Sequence, residues 1–343
     1  MKMNKHVELP LTEPIYSTYH YQGPCTAIAV KNPSVRNWYL NRVMNLNCNR
    51  KFLTGFTTPE ITVLDSSWTE NPYIDKHWIS TQFTDGYINP IIRKMLDQGF
   101  YVAFAGIDDY YVKGKTWYKQ RHFIHDGLIC GYDQTDKTYC IYAYDSNWIY
   151  KKFWTPQKSF DAGRAAVLKK DSYCSICGLK TRDDTIEFSP KTAYDKLCEY
   201  LDSDLEKYRF DGEGLVYGMA VHEYIAEYVM RLYREDIPYE RLDRRVFRLI
   251  WEHKKVMLER ILQIERVLEL GNDFSKKYKP IVDEADTMRM LYAAHHMKRR
   301  DSLLPIIAKK LLKLSNKERE LLTALTQMMK KELKNEAVDI LKK

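Results

Sequence analysis

The chain has 343 residues, of which 45% are apolar and 29% are charged. This composition excludes a disordered or low-complexity protein, and the length is sufficient for one large domain or two ordinary ones. The formal net charge of +8 is a mild bias toward anionic partners, and in a chain of this size it does not by itself identify one.

The amino-terminal residues and the cysteine content predict a cytoplasmic protein. The first eight residues lack the apolar stretch of a secretory signal, and nowhere do 18 apolar residues run together. Seven cysteines are an odd number, which fits a reducing compartment better than a disulfide framework. We therefore expect no membrane span.

The first half of the chain, up to about residue 185, alternates short apolar runs with turns. A helix is predicted over 90–98, because proline stands near its start and Gly99 follows its end. Two strands on either side of the turn-forming stretch 133–137 predict an antiparallel hairpin. The predicted strands are 100–105, 127–132 and 138–144, with weaker patterns at 150–154 and 165–168.

From about residue 188 onward, apolar residues recur at helical spacing almost without interruption. Ser315 and Glu318 have the spacing of a capping box, which predicts that the last helix begins there. A polar stretch at 181–184 separates the two halves, so we expect an α+β fold with domains over 1–185 and 186–343, the second all-helical. The predicted helices of the second domain are 190–208, 213–234, 240–269, 276–298, 301–313 and 316–342.

Cys25 is the first candidate for chemistry. Gly23 and Pro24 precede it and good helix formers follow, so the thiol is predicted to lie in the first turn of a helix. Unpaired N–H groups and the helix dipole at such a position favour the thiolate, which is the nucleophilic form of cysteine. The alternative is a buried cysteine that begins a core helix.

His125 and Asp145 stand at the two ends of the predicted hairpin. If the turn is centred on Thr135, antiparallel pairing places His125 opposite Asp145, with about 5 Å between their Cβ atoms. A carboxylate beside an imidazole fixes its tautomer and stabilises its protonated form. His122 is an alternative base and Asn147 an alternative orienting group, and a polar pair on a surface hairpin is the alternative to a catalytic site.

Other motifs do not predict a metal or cofactor site. Cys174 and Cys177 form a C-x-x-C without a second pair at zinc spacing, so a buried strand with two thiols is favoured. The chain has no P-loop and no G-x-G-x-x-G, and its basic residues are interleaved with acidic ones. We therefore expect no bound metal, no bound cofactor and no nucleic-acid partner.

A cysteine at a helix start, a histidine at the head of a strand and an aspartate after the next strand resemble the papain-like fold. The pattern is similar to the bacterial C39-type peptidases and, within that group, to the butirosin-pathway acyltransferases, which join such a domain to a helical carboxy-terminal region. It also resembles the amide-forming enzyme of closthioamide assembly. The resemblance covers roughly residues 15–160 at the level of motifs, and it extends to the helical half only in architecture.

The resemblance implies a role for each of the three candidate residues. Cys25 would be the nucleophile, His125 the general base and Asp145 the orienting carboxylate. The oxyanion glutamine of papain-like enzymes lies six residues before the cysteine, where this chain has Tyr19, whereas Gln22 lies only three before it. Gln22, Tyr19 and the backbone N–H of Cys25 are therefore alternative oxyanion donors.

A Cys–His–Asp site breaks an acyl bond through a thioester, and either water or an amine then takes the acyl group. The resemblance implies transfer from an acyl or peptidyl carrier protein, whose phosphopantetheine thioester is the donor, to a small amine or diamine. Such an acyltransferase would belong to natural-product biosynthesis, including antibiotic and nonribosomal-peptide assembly, and the basic charge suits an acidic carrier. The alternatives are a cytoplasmic C39-like cysteine peptidase and a non-catalytic binding protein with a relic papain-like fold.

Overall fold

The chain folds into two compact units, of which one comprises Met1–Arg36 and Ser67–Thr185 and the other Asn37–Ser66 and Ile186–Lys343. A computed structural model describes residues 4–29, 32–55, 57–80, 86–169, 174–203, 214–271 and 273–341. The side chains of Cys25 and of residues 336–341 lie outside this description.

The described residues form a mixed α+β structure with antiparallel sheets and a helical carboxy-terminal region, as the sequence predicts. The strands are β1 (His6–Glu8), β2 (Leu46–Asn49), β3 (Thr62–Val63), β4 (Ile74–Ser80), β5 (Tyr101–Asp108), β6 (Ile124–Asp133), β7 (Thr138–Tyr144), β8 (Tyr150–Pro156), β9 (Ser175–Thr181) and β10 (Leu215–Tyr217). The helices are α1 (Gly23–Ala27), α2 (Ser34–Arg42), α3 (Ile88–Asp97), α4 (Gln157–Leu168), α5 (Pro190–Asp202), α6 (Val221–Tyr233), α7 (Val246–Val267), α8 (Asp273–Lys298) and α9 (Leu303–Leu341).

The first unit is built on an antiparallel sheet whose strands lie in the order β4-β9-β5-β6-β7-β8, with β1 paired to β6. The predicted hairpin is confirmed as β6 and β7, in which Leu128 lies opposite Tyr142. Helices α3 and α4 pack on this sheet and bury Ile92 and Phe160 in its core. The predicted strand over 165–168 is wrong because these residues end α4, and a short apolar run fits either structure.

A bulge in β5 determines the position of the residues that follow it. Phe104 lies opposite Gly127, but Ile107 lies opposite His125, so β5 contains one more residue than β6 between these pairs. Gly106 lies in the bulge with a φ of 76°, a left-handed conformation that glycine adopts without steric cost. The extra residue advances the end of β5 along β6 and places Asp109 directly after the strand.

The second unit contains a small sheet in which β2 lies between β3 and β10. Arg260 of α7 is fully buried and donates to the backbone carbonyls of Leu40 and Val43, at 2.6 and 2.8 Å. These carbonyls lie at the end of α2, where a helix leaves its acceptors unpaired. Strand pairing and these hydrogen bonds explain why Asn37–Ser66 belong to the second unit, although the sequence-based boundary at residue 185 assigns them to the first domain.

The carboxy-terminal helices differ from the prediction at two points. Leu215–Tyr217, inside the predicted helix over 213–234, form β10 because they pair with β2, and α6 begins only at Val221. Residues 301–313 and 316–342 were predicted as separate helices, but α9 runs continuously from Leu303 to Leu341. Ser315 and Glu318 are buried within it, and Glu318 Oε2 accepts a hydrogen bond from Lys254 Nζ at 2.6 Å. The predicted capping box is therefore wrong, because both residues lie inside a continuous helix. Glu318 is instead the buried partner of Lys254. Among the described helices, none is apolar over a length that would cross a membrane.

Candidate active site

His125 pairs with a carboxylate at the start of β6. Its Nδ1 lies 3.1 Å from Oδ2 of Asp109, whose side chain is only 2% exposed. A carboxylate can only accept a hydrogen bond, so Nδ1 carries the proton in this contact and Nε2 is the nitrogen that can exchange protons with a substrate. The bulge at Gly106 brings the two residues together, because it places Asp109 beside the strand that carries His125.

The Asp145 carboxylate pairs with groups other than His125 among the described residues. Its carboxylate accepts hydrogen bonds from the backbone N–H groups of Asn147 and Ile149, and Lys151 pairs with it at 2.8 Å. Burial alone would raise the pKa of Asp145, but these hydrogen bonds together hold it below its ordinary value. Asp145 therefore stabilises the turn between β7 and β8, and Asp109 takes its place beside His125.

Cys25 lies in α1, which contains only five residues, and its side chain lies outside the described residues. Pro24, its neighbour in sequence, lines a cavity of about 30 Å³ together with Asp126, the neighbour of His125. A Cβ atom added to Gly23 would overlap the hydroxyl of Tyr150, so any other residue here would have to displace the Tyr150 side chain. One sequence neighbour of the predicted nucleophile and one of the predicted base therefore line the same cavity.

His20 is a site residue that the sequence does not predict. Its ring stacks on that of His125, with the centroids 3.9 Å apart. His20 Nδ1 lies 2.6 Å from the carbonyl oxygen of Asp126 and so donates to it, and its buried Nε2 has no hydrogen-bond partner among the described residues. Burial lowers the pKa of His20 well below its usual value, and the charges of Lys115 and His125 lower it further. His20 is therefore neutral at physiological pH.

Lys115 places a fully buried cation behind the His125–Asp109 pair. Its Nζ lies 3.4 Å from Oδ1 of Asp109 and donates to the carbonyl oxygen of Asp126 at 3.3 Å. Burial lowers the pKa of Lys115, and the carboxylate of Asp109 offsets part of this effect. Asp109 thus has one oxygen toward the lysine and the other toward the imidazole, which fixes its orientation.

The two side-chain oxyanion candidates lie at the N-cap of α1 and three residues before it. Gln22 is fully buried at the N-cap position, and its Oε1 accepts a hydrogen bond from the backbone N–H of Tyr19 at 3.3 Å. The ring of Tyr19 stacks on Tyr21, with the centroids 5.4 Å apart. The contact with Tyr19 orients the Gln22 carboxamide, and the oxyanion role of either residue stays a prediction.

The alternative base and the alternative orienting group are not partners of His125. His122 Nδ1 lies 2.7 Å from Asp108 Oδ2, and its side chain is 56% exposed. Asn147 belongs to the turn that Asp145 stabilises, where its backbone N–H is the group that donates. The two adjacent aspartates after the bulge thus pair with two histidines three residues apart. Of these two histidines, His125 is the one that stacks on His20, which lines the cavity.

An aromatic ridge extends from His125 across the surface of the first unit. We define this ridge as Phe123, Trp117 and Trp148. Phe123 packs edge-on against His125 at 4.9 Å between centroids, and Trp117 lies 6.3 Å from Phe123 and 5.8 Å from Trp148. Trp148 is 51% exposed and has a φ of 60°, which is strained for a residue with a side chain. An exposed indole at the far end of an aromatic ridge that starts at His125 is a candidate contact surface for an apolar ligand.

The residues that the sequence analysis missed are Asp109, His20 and Lys115. The pair Asp108-Asp109 after a buried strand was visible in the sequence, but nothing local indicated the bulge that aligns it with His125. No group of three or more His, Cys, Asp and Glu side chains within the described residues could hold a metal ion. No model of a known protein family matches the chain, and no curated protein matches it either.

Proposed function

We propose that this protein is a cysteine-dependent acyltransferase that forms amide bonds. The donor is the phosphopantetheine thioester of an acyl or peptidyl carrier protein, and the acceptor is a small amine or diamine. The observation that carries the proposal is the cavity shared by Pro24 and Asp126, which flank Cys25 and His125 in the sequence. It supports a papain-like site in which Asp109 is the orienting carboxylate.

In the first half-reaction, His125 Nε2 takes the thiol proton of Cys25, and the sulfur attacks the thioester carbonyl. The bond between the carbonyl carbon and the phosphopantetheine sulfur breaks, and the departing sulfur receives the proton from His125. The acyl group is then held on Cys25 as a new thioester. Because one thioester is exchanged for another, this step requires neither ATP nor an oxidant.

In the second half-reaction, the amine attacks the Cys25 thioester while His125 Nε2 takes one of its protons. The bond between the carbonyl carbon and the Cys25 sulfur breaks, and the sulfur recovers that proton as the amide leaves. Asp109 stabilises the protonated imidazole in both half-reactions, since its carboxylate is already hydrogen-bonded to Nδ1. The neutral His20 ring beside His125 adds no repelling charge.

The aromatic ridge supports an apolar acyl group as the cargo. Phe123 contacts His125, so an acyl chain whose carbonyl lies at the site could extend over Phe123 toward Trp117 and Trp148. Arg121 lies over the ring of Trp117, at 5.6 Å from its centroid, and over that of Phe123, at 5.9 Å. These contacts hold the ridge in place, and burial of an alkyl chain there would contribute about 0.8 kcal/mol per methylene group.

The test is incubation with an acyl-loaded carrier protein, with and without a diamine, followed by intact-mass measurement. We expect an acyl adduct on the enzyme and an amide product when the diamine is present. Cys25→Ala should abolish the adduct, and Cys198→Ala should retain it. Cys198 is a suitable control because the other cysteines with described side chains are buried.

Either of two results would contradict the proposal and support an alternative function. If free acid is the sole product even with excess diamine, the protein is a hydrolase, in line with the peptidase alternative. If the wild-type protein forms no adduct with any loaded carrier, it is a binding protein without this chemistry.

A further inference from the structure

A groove between α8 and α9 in the second unit has a volume of about 1040 Å³. It is a feature of these two helices alone, and it contains none of the residues proposed above for acyl transfer. Lysine side chains from both helices line it, and we call it the lysine groove. The lysines are Lys277 from α8 and Lys309, Lys310, Lys313 and Lys317 from α9.

Most of these lysines lack an acidic partner. Lys310 pairs with Glu284 at 2.6 Å. Lys277, Lys309, Lys313 and Lys317 form no salt bridge with any described residue. By contrast, Lys279 of α8, which lies outside the groove, pairs with Asp283 one turn away. With one further glutamate at position 320, the groove holds five cations and two anions, and its excess charge is positive.

The floor of the lysine groove is apolar. Ile281 and Leu314 are buried at its base, and Leu321 is half-buried. Ile306 also lines it, with 48% of its surface exposed. An apolar floor between cationic walls fits a ligand that is itself apolar on one side and anionic on the other.

The spacing of the lysines distinguishes between possible occupants. Lys309, Lys313 and Lys317 follow one another at four-residue intervals on one face of α9, over about 12 Å of helix. A fatty acid carries one charge at one end and would leave most of these cations unpaired. A nucleic acid would match the cations but not the apolar floor.

We propose that the lysine groove binds an acidic amphipathic helix of a partner protein. Carboxylates on successive turns of such a helix would pair with Lys309, Lys313 and Lys317, and its apolar face would cover Ile306 and Leu321. This interaction goes beyond the proposed acyl transfer and does not depend on the chemistry of Cys25. The groove then serves to recruit a protein through the helical unit.

The probe is a fluorescein-labelled peptide of about 18 residues, long enough to span about 27 Å as a helix. It carries a leucine face with glutamate at four-residue intervals along the edge of that face, and a scrambled peptide of the same composition is the reference. Fluorescence anisotropy with the full chain should show binding of the ordered peptide, weakening as salt is added. The double variant K313Q/K317Q should bind it about tenfold or more weakly.

The matched control is K330Q/K331Q, which removes the same charge from exposed positions of α9 outside the groove and should bind like the wild type. Ile306→Ser tests the floor and should also weaken binding, with unchanged thermal unfolding as the check on folding. Equal affinity for the scrambled peptide, or an equal loss in K330Q/K331Q, would overturn the proposal. Binding to anionic lipid vesicles that depends on Lys313 and Lys317, without binding of the ordered peptide, would overturn it in favour of a membrane surface. None of these measurements involves acyl transfer, so they stand apart from the test of the enzyme.

Discussion

The imidazole rings of His20 and His125 lie nearly parallel, with centroids 3.9 Å apart and planes inclined by 25°. His20 is held by the carbonyl of Asp126, and its burial keeps it neutral. A neutral ring can remain stacked on His125 whether or not His125 is protonated. His20 is therefore a positioning residue, which restricts the imidazole from one face while Asp109 orients it through Nδ1.

Substitution of the two candidate carboxylates, Asp109 and Asp145, should affect the rate of Cys25 acylation differently. Asp109→Asn should slow the acylation of Cys25 by about 10²–10⁴-fold, because asparagine cannot stabilise the imidazolium as a carboxylate does. Asp145→Asn should slow it by less than about tenfold and mainly lower the unfolding temperature, since Asp145 supports a turn. Time-resolved intact-mass measurement gives both rates, and thermal unfolding followed by circular dichroism reports the stability. A larger loss of rate in Asp145→Asn would return the orienting role to that residue.

The aromatic ridge can be tested at its strained end. Trp148→Gly should leave the free energy of unfolding within about 1 kcal/mol of the wild type, because relief of the left-handed φ offsets the lost contact with Trp117. The same variant should raise KM for long-chain acyl donors by about tenfold and leave acetyl transfer unchanged. Trp154→Ser, an exposed tryptophan that stacks on His6, is the control and should keep the wild-type KM. An unchanged KM in Trp148→Gly would exclude the ridge from donor binding.

Substitutions of the buried pair Lys254 and Glu318 should have non-additive effects on the free energy of unfolding. Both side chains are fully buried, with Nζ 2.6 Å from Oε2. Lys254→Met should lower the free energy of unfolding by about 3–5 kcal/mol, because it leaves an uncompensated carboxylate in the interior. Adding Glu318→Leu should recover part of that loss, since two apolar residues avoid burying a charge. Urea unfolding measures all three proteins, and a double variant less stable than Lys254→Met would contradict the prediction.

Because His222 is buried with a lowered pKa, we expect acid to destabilise the second unit. It is fully buried beside Lys254, and burial together with that lysine lowers its pKa from 6.5 to about 4. Between these values the unfolded chain binds a proton that the folded chain does not, so stability falls as the pH falls from 6.5 to 4, by a total on the order of 3 kcal/mol. Nearby His253 has its pKa lowered chiefly by burial and acts in the same direction.

The measurement is the free energy of unfolding in urea at pH 7, 6 and 5. The variant His222→Gln does not titrate and should show a smaller loss of stability over this interval, with His253 accounting for the remainder. If the variant and the wild type lose the same amount, His222 does not cause the acid sensitivity.

The sequence predicted those elements whose cause is local. The hairpin followed from two apolar runs around a turn, and the helix at 90–98 from its proline and glycine boundaries. The partner of His125 depends on a register shift in β5, and the assignment of residues 37–66 depends on hydrogen bonds from Arg260. Both arise from residues distant in the sequence, which local patterns do not encode. The Ser315–Glu318 pattern was misleading for the same reason, because the partner of Glu318 is Lys254 on another helix.

The bulge at Gly106 makes the proposed chemistry dependent on a residue that has no side chain to take part in it. Any other residue there would have to adopt a φ of 76°, at a cost of about 1–2 kcal/mol, or let β5 return to regular pairing. With regular pairing, the residues after position 106 would shift by one place along β6, and the Asp109 side chain would no longer face the imidazole of His125. A mutational survey that ranks positions by chemical reactivity would therefore overlook Gly106, although the orientation of His125 relies on it.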